Sequence, residues 1–68
     1  MDINLNGKKR RFEQTRLSVT DLVKELDINP KIVHVQLNGA MLDRAHFDDT
    51  FINEGDEVEI ITYMGGGH

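Results

Sequence analysis

The chain has 68 residues, of which 38% are hydrophobic, and it carries a formal net charge of −4 and no cysteine. This length allows one domain with a thin apolar core, and a sequence without cysteine excludes disulfides and zinc sites with thiolate ligands. The acidic balance argues against a nucleic-acid partner, because binding to phosphates depends on basic side chains, and it favours a basic protein partner.

The first five residues alternate apolar and polar side chains, which predicts a strand with one buried face. Asn6 and Gly7 follow, and this pair is typical of the two-residue hairpin turn in which both residues have positive φ. We therefore expect residues 8–14 to return antiparallel to the first strand. Phe12 is the only strong apolar residue of that segment, so the second strand should be half exposed.

A change of hydrophobic period predicts one main helix over residues 18–26. Its apolar residues recur at helical spacing: Val19, Leu22, Val23 and Leu26. Ser18 is placed to cap the start of the helix, and Asp21 complements the helix dipole three residues later. Asn29 and Pro30 should end the helical region, because the residue before a proline avoids the helical conformation.

Residues 32–37 form the most strand-like segment, rich in β-branched side chains. Their alternation directs three apolar residues to the core: Val33, Val35 and Leu37. Asn38 and Gly39 indicate a second tight turn. After this turn, residues 41–42 are expected to form a short strand.

The last third of the chain is expected to contain one more strand. Residues 45–50 show no clear period, and we expect a short helical turn there that buries Phe47. Residues 54–56 indicate a third turn, since glycine lies between two acidic residues. Residues 57–63 alternate polar and apolar side chains and predict the final strand.

The order strand, strand, helix, strand, short strand, strand predicts an α+β domain. One helix should cover one face of a mixed sheet of four to five strands. The first and last strands are both strongly apolar, so we expect them to pair in parallel at the centre of the sheet. This is the β-grasp, or ubiquitin-like, arrangement. We assign residues 1–64 to this domain and residues 65–68 to a flexible C-terminal glycine tail.

The sequence Gly65-Gly66-Gly67-His68 directly follows the predicted final strand. Glycine runs are common in linkers and chain ends, so the tail has an ordinary interpretation as an unstructured terminus. The alternative is a tail that acts as a substrate. Glycines have no Cβ, so they fit a narrow channel and bring a carboxylate close to a partner's nucleotide. Three extended residues span roughly 10 Å, which is enough to reach into an active site.

Several motifs together resemble the ThiS/MoaD family of ubiquitin-like sulfur carriers, and most of all its ThiS branch, which serves thiamin biosynthesis. They are the opening strand with Asn6-Gly7, the helix sequence at 22–26, the segments 35–38 and 42–44, the turn and strand at 54–60, and the glycine tail. Each motif alone is weak evidence for the family. Together the motifs span essentially the whole chain, and their order and spacing are more specific than any one of them. MoaD shares the fold and the tail and is usually somewhat longer.

This resemblance implies a carrier and not an enzyme, with no cofactor bound. In the family, a ThiF/MoeB-like enzyme adenylates the terminal glycine carboxylate with ATP. Sulfur then replaces AMP to give a thiocarboxylate, which passes its sulfur to thiazole synthase. Carried over to this chain, the family's diglycine is Gly66-Gly67, and Gly67 would carry the sulfur. Gly65, Met64 and Tyr63 would form the tail and docking segment, although Tyr63 and Met64 suit the end of the core equally well.

His68 lies one residue beyond the family's usual diglycine end. We expect it to be removed before activation, because an imidazole side chain fits a glycine channel poorly. Some relatives carry short extensions that a JAMM-type metalloprotease removes, and these serve cysteine, homocysteine or other sulfur-metabolite synthesis. A remnant of cloning is the other explanation of His68. A ubiquitin-like interaction module without tail chemistry also stays open.

Two other patterns have ordinary structural explanations. His34, His46 and His68 lack the spacing of metal ligands, so we expect no metal site. The basic residues 8–11 lie on a predicted strand and alternate between its faces, which suits an edge strand better than a nucleic-acid surface. No segment has the roughly 18 apolar residues of a membrane span, and none resembles a signal peptide. We therefore expect a cytoplasmic location and no membrane partner.

Overall fold

A computed structural model describes residues 1–62 of the chain. The strands in this part are β1 (Asp2–Leu5), β2 (Lys8–Arg11), β3 (Leu17–Ser18), β4 (Val33–Leu37), β5 (Ala40–Leu42), β6 (Phe51–Ile52) and β7 (Glu57–Thr62). They are accompanied by the α-helix α1 (Val19–Glu25) and by 3-10 turns at Pro30–Ile32 and Arg44–His46.

Five strands form a mixed sheet in the order β2-β1-β7-β4-β5. β1 and β7 are adjacent and parallel, with Leu5 opposite Val58, whereas the other neighbours in this sheet are antiparallel. One helix covers one face of the sheet. The predicted β-grasp arrangement, with parallel first and last strands at the centre, is therefore confirmed.

Both predicted Asn-Gly turns have the conformation that their sequence requires. Asn6 and Gly7 have φ of 51° and 82°, and Asn38 and Gly39 have φ of 52° and 86°. Two consecutive positive φ values match the twist of the flanking strands. The first turn joins β1 to β2, and the second joins β4 to β5.

The helix begins where the sequence predicts and ends earlier. The Oγ of Ser18 accepts a hydrogen bond from the Asp21 N–H at 3.0 Å, which caps the first turn. The helix ends at Glu25, because Asp27 adopts a left-handed conformation with φ of 58°. Asn29, the predicted limit, instead caps the 3-10 turn that leads into β4.

The apolar core lies between α1 and the five-stranded sheet. Its side chains are at most 8% exposed: Ile3, Phe12, Leu17, Val19, Leu22, Val23, Val33, Val35, Phe47, Ile52, Val58 and Ile60. Full burial of one such aliphatic side chain is worth about 1.5–3 kcal/mol. The predicted burial of Phe12 and Phe47 is confirmed, and Leu26 and Leu37 are partly buried at the margin of the core.

The sequence pattern does not predict a second, two-stranded sheet of β3 and β6. Leu17 lies opposite Ile52, and Ser18 lies opposite Phe51. Leu17 and Ile52 are only 2% and 1% exposed, so this small sheet closes one side of the core. A strand of two residues is too short to show a hydrophobic period. Only the contact between two distant segments reveals it.

Two predicted boundaries also shift. β2 ends at Arg11 and does not reach Gln14, so Phe12 is buried just beyond the strand. The helical turn expected within residues 45–50 occurs one residue earlier, at Arg44–His46. None of the helices in the described part of the chain is long and apolar enough to cross a membrane.

Candidate functional site

Strand β7 leads directly into the predicted tail. It lies between β1 and β4 in the middle of the sheet, and β4 pairs with it as far as Val33 opposite Thr62. Six residues predicted to form the tail, the docking segment and the processed end lie outside the described residues: Tyr63, Met64, Gly65, Gly66, Gly67 and His68. The site that the structure describes is therefore the surface around Thr62.

Asn6 holds the last part of β7 from the β1 side. Its backbone N–H donates to the Val58 carbonyl at 2.9 Å. Its Oδ1 accepts from the Ile60 N–H at 2.7 Å, and its Nδ2 donates to the Ile60 carbonyl at 3.2 Å. The side chain of Asn6 thus takes the place of a backbone residue and extends the pairing of β7 past the end of β1. Sequence reasoning predicts the turn and misses this role, which links residues 54 positions apart.

Asn38 holds the beginning of β7 from the β4 side. Its backbone N–H donates to the Glu57 carbonyl at 2.7 Å, and its Oδ1 accepts from the Glu57 N–H at 2.9 Å. Its Nδ2 also donates to Oδ1 of Asp56 at 3.2 Å. The two asparagines thus add hydrogen bonds to the central strand on opposite sides, Asn38 at its beginning and Asn6 at Ile60.

The face of the sheet away from α1 exposes apolar side chains near the end of β7. Ile61 and Met41 are 45% and 61% exposed, and His34 of β4 lies opposite Ile61. Glu57 and Glu59 are exposed on the same face of β7. We call this surface the open face.

The helix-covered face has a shallow groove beside the end of β7. Its lining residues come from β1, the first turn, β2, the segment after α1 and β7: Leu5, Asn6, Arg10, Leu26, Ile28, Ile60 and Thr62. Leu5, Leu26 and Ile28 pack against the margin of the core and supply an apolar floor. Arg10 supplies the one charged side chain of this lining. The groove therefore adjoins the last described residue, yet none of these residues is a predicted site residue.

The hairpin of β1 and β2 places Asp2 opposite Arg11, and their side chains form an ion pair with Nε and Oδ1 3.0 Å apart. The hydrogen bond from Arg11 lowers the pKa of Asp2 below its ordinary value of 3.8, and Asp2 raises the pKa of Arg11. Lys9 and Arg11 lie on the open face, and Arg10 lies on the groove face. The predicted alternation of the basic residues on an edge strand is therefore confirmed.

Histidine and carboxylate side chains of residues 1–62 form no group of three or more that is arranged to hold a metal ion. His46 lies on a 3-10 turn, with Nδ1 3.6 Å from Oδ1 of Asp49. His34 lies on β4. His68, the third histidine of that prediction, lies outside the described residues.

Comparisons with known proteins agree with this geometry. A model of the ThiS family matches residues 3–67. The crystal structure of the thiamine biosynthesis protein ThiS from Geobacter metallireducens is 39% identical, with a TM-score of 0.87 over 98% of this chain and 100% of that one. The sulfur carrier protein ThiS of Bacillus subtilis is 26% identical over 96% of this chain and 98% of that protein. A thiazole synthase of Paramagnetospirillum magneticum is 30% identical over 98% of this chain, which corresponds to 20% of that larger protein.

Proposed function

The chain belongs to the ThiS family, and on that premise we propose that it is the sulfur carrier of thiamin biosynthesis and not itself a catalyst. The observation that carries this proposal is the agreement between the family match and the fold. The match extends to Gly67, and β7, which leads to it, is held in the sheet centre by Asn6 and Asn38. A glycine tail that follows such a strand is suited to present a carboxylate at a limited distance from the domain.

The proposed chemistry begins at the carboxylate of Gly67. In the active site of a ThiF/MoeB-like enzyme, one carboxylate oxygen attacks the α-phosphorus of ATP and displaces pyrophosphate. The acyl-adenylate has a good leaving group, which the free carboxylate lacks. A desulfurase takes sulfur from cysteine as an enzyme persulfide, and a thiol reductant supplies the two electrons that release it as sulfide. The sulfide then attacks the acyl carbon and releases AMP. The product is a thiocarboxylate at Gly67, and the carrier contributes no acid or base.

Thiazole synthase is the proposed sulfur acceptor. Two larger proteins named thiazole synthase contain a segment similar to 98% of this chain, and in each it makes up 20% of the protein. A carrier-like segment linked to its acceptor reaches a high effective concentration, so these proteins favour the thiazole pathway. Carriers for cysteine, homocysteine or other sulfur metabolites are the alternative within the same chemistry.

We further propose that His68 is removed before activation, by a JAMM-type metalloprotease or an equivalent enzyme. The family match stops at Gly67, one residue before His68. While His68 is present, the backbone carboxylate belongs to the wrong residue, and an imidazole side chain occupies the position that would enter the enzyme. Removal would convert Gly67 into the reactive terminus.

The test compares the full-length chain with a chain that ends at Gly67. Each is incubated with a ThiF-like enzyme, ATP and sulfide, and intact-mass spectrometry measures replacement of one oxygen by sulfur. We expect the thiocarboxylate on the chain that ends at Gly67 and none on the full-length chain. As a matched control, Gly66→Val in the shorter chain should block the reaction, because a branched side chain does not fit a glycine channel.

The alternative function is a ubiquitin-like interaction module without tail chemistry. If the chain that ends at Gly67 binds the enzyme but is never adenylated, the carrier proposal is wrong and the interaction module takes its place. Where the thiocarboxylate does form, addition of purified thiazole synthase together with its other substrates tests the acceptor: sulfur should leave Gly67 only when both are present.

A further inference from the structure

The proposed function makes the position of the end of β7 important. Only residues 63–67 separate Thr62 from the proposed reactive carboxylate, and five extended residues span at most about 17 Å. With so short a connection, the direction in which β7 leaves the sheet limits where the carboxylate can lie. A residue that holds the end of β7 is therefore able to influence the reaction without contact with the reacting atoms.

The end of β7 is held differently on its two sides. On one side β4 pairs with it as far as Thr62, which lies opposite Val33. On the other side β1 ends at Leu5, which lies opposite Val58. Within residues 1–62, the hydrogen bonds beyond Val58 on this second side come from the side chain of Asn6. One asparagine thus takes the place of a neighbouring strand.

The Asn6 side chain occupies both backbone groups of Ile60. A continued parallel ladder would pair the Ile60 N–H and carbonyl with a neighbouring backbone. Instead, Oδ1 of Asn6 accepts from this N–H at 2.7 Å, and Nδ2 donates to this carbonyl at 3.2 Å. Ile60 is 8% exposed and both bonds are partly buried, so water does not readily replace them. We call these two bonds the Asn6 clamp.

We propose that Asn6 is a positioning residue for the carboxylate of Gly67. The Asn6 clamp fixes the direction of the end of β7, so that a docked adenylating enzyme receives the carboxylate in a productive orientation. Without the clamp, the segment from Ile60 to Thr62 is paired with β4 alone, and a strand paired on one side twists and opens more easily. Because reacting atoms must lie about 3–3.5 Å apart, fewer of the docked complexes would then react. This inference rests on the proposed function, since it requires an enzyme that adenylates Gly67.

Asn6→Gly and Asn38→Gly are a matched pair of variants for the test. Both replace the same residue at nearly the same φ, 51° and 52°, and glycine keeps either turn. Only Asn6→Gly removes bonds near the end of β7, because Asn38 binds the strand at Glu57. A milder variant, Asn6→Asp, keeps an acceptor for the Ile60 N–H and loses the donor to its carbonyl. All three are made in the chain that ends at Gly67.

ATP–pyrophosphate exchange is measured with a ThiF-like adenylating enzyme over a range of carrier concentrations, at a temperature where circular dichroism shows each variant folded. We expect Asn6→Gly to lower kcat about five- to tenfold and to leave KM for the carrier within about twofold. Asn6→Asp should lower kcat less. Asn38→Gly should leave kcat and KM within about twofold of the unsubstituted chain. A loss of folded protein alone would instead raise the apparent KM and leave kcat unchanged at saturation.

A second measurement follows the end of β7 directly in the free carrier. NMR relaxation of the isotope-labelled chain that ends at Gly67 gives backbone order parameters for the amides of Ile61 and Thr62. We expect Asn6→Gly to lower both from the rigid value of about 0.85 towards the flexible range below about 0.6. Asn38→Gly should leave both unchanged, because the pairing at this end of β7 stays intact.

Three results would overturn the positioning role of Asn6 while the proposed function stands. They are an unchanged kcat for Asn6→Gly, an equal loss of kcat for Asn38→Gly, and unchanged order parameters at Ile61 and Thr62. Each would mean that Asn6 contributes to the stability of the domain and not to the placement of its end. If the unsubstituted chain that ends at Gly67 is never adenylated, the proposed function itself fails, and the positioning role fails with it.

Discussion

The two Asn-Gly turns share a sequence and a backbone conformation but differ in what they stabilise. Asn6 and Asn38 have φ of 51° and 52°, and the side chain of each binds the backbone of β7. Asn38 binds the exposed beginning of the strand at Glu57, whereas Asn6 binds Ile60 in partly buried surroundings near the tail. The same dipeptide thus completes one strand from two sides.

A turn sequence therefore determines the local conformation, whereas its place in the fold determines how much its side-chain hydrogen bonds contribute to stability. A hydrogen bond shielded from water costs more to lose than an exposed one, since water cannot fully replace the missing partner. We therefore expect the Asn6 turn to contribute more to stability than the Asn38 turn.

The substitution Asn6→Gly should have the largest effect. Glycine tolerates positive φ, so the turn persists and only the side-chain bonds to Ile60 are lost. We expect the free energy of unfolding, measured by urea denaturation, to fall by about 2 kcal/mol, because two partly buried backbone groups lose their partner. Hydrogen exchange at Ile60 should accelerate, and thiocarboxylate formation at Gly67 should slow. Unchanged exchange at Ile60 would contradict this role of Asn6.

Alanine at the two turn glycines should have the next largest effect, and the same effect at both. Gly7 and Gly39 have φ of 82° and 86°, and a Cβ at either position would meet nothing within 4 Å. Only backbone strain is therefore expected, at about 1–2 kcal/mol in each case. Thermal or urea unfolding of Gly7→Ala and Gly39→Ala measures this cost. A clear difference between them would mean that the turns differ in conformation and not only in their side-chain contacts.

Asn38→Gly should destabilise the fold less than Asn6→Gly, by about 0.5–1 kcal/mol, because the bonds to Glu57 and Asp56 are exposed and water replaces them. Urea denaturation under the same conditions provides the comparison. Thiocarboxylate formation should stay at the wild-type rate, since the start of β7 is remote from the tail. A loss of stability equal to that of Asn6→Gly would remove the distinction between the two turns.

The smallest effect should come from the ion pair that joins the ends of β1 and β2. The pKa of Asp2 is lowered in the folded state by the hydrogen bond from Arg11. Its contribution to stability is therefore present above the unfolded pKa of about 4 and is lost as pH falls through the lower folded value. Asp2→Asn should be slightly less stable than wild type at neutral pH and equal to it in acid. Arg11→Gln should reproduce this pH dependence, and an effect that persists in acid would point to another cause.

Much of the fold was predictable because it depends on near neighbours in sequence. The Asn-Gly pairs require positive φ wherever they form a hairpin, and Ser18 with the apolar period of the next residues specifies where α1 begins. The parallel pairing of β1 and β7 follows once both strands are recognised as apolar. The early end of α1 was missed, because the left-handed conformation of Asp27 has no comparably strong sequence signal.

The candidate site was predictable only in part. The glycine tail and the order of the motifs that precede it indicate the ThiS family, and the family match reaches Gly67. The roles of Tyr63 and Met64 stay predictions, because both lie outside the described residues. The sequence does not predict the groove beside Arg10. A run of basic residues is common on exposed edge strands, whether or not a groove lies beside them.

The turns, the helix start, the β-grasp order of strands and the glycine tail can all be read from the amino-acid sequence, since each depends on local conformation, hydrophobic period or composition. Three further features emerge only in the folded chain: Asn6 binds β7 at Ile60, Leu17 pairs with Ile52, and Arg10 lines the groove beside Thr62. These features arise between segments far apart in the chain. Their energies depend on burial and on the register of paired strands, which exist only once the whole sheet has formed.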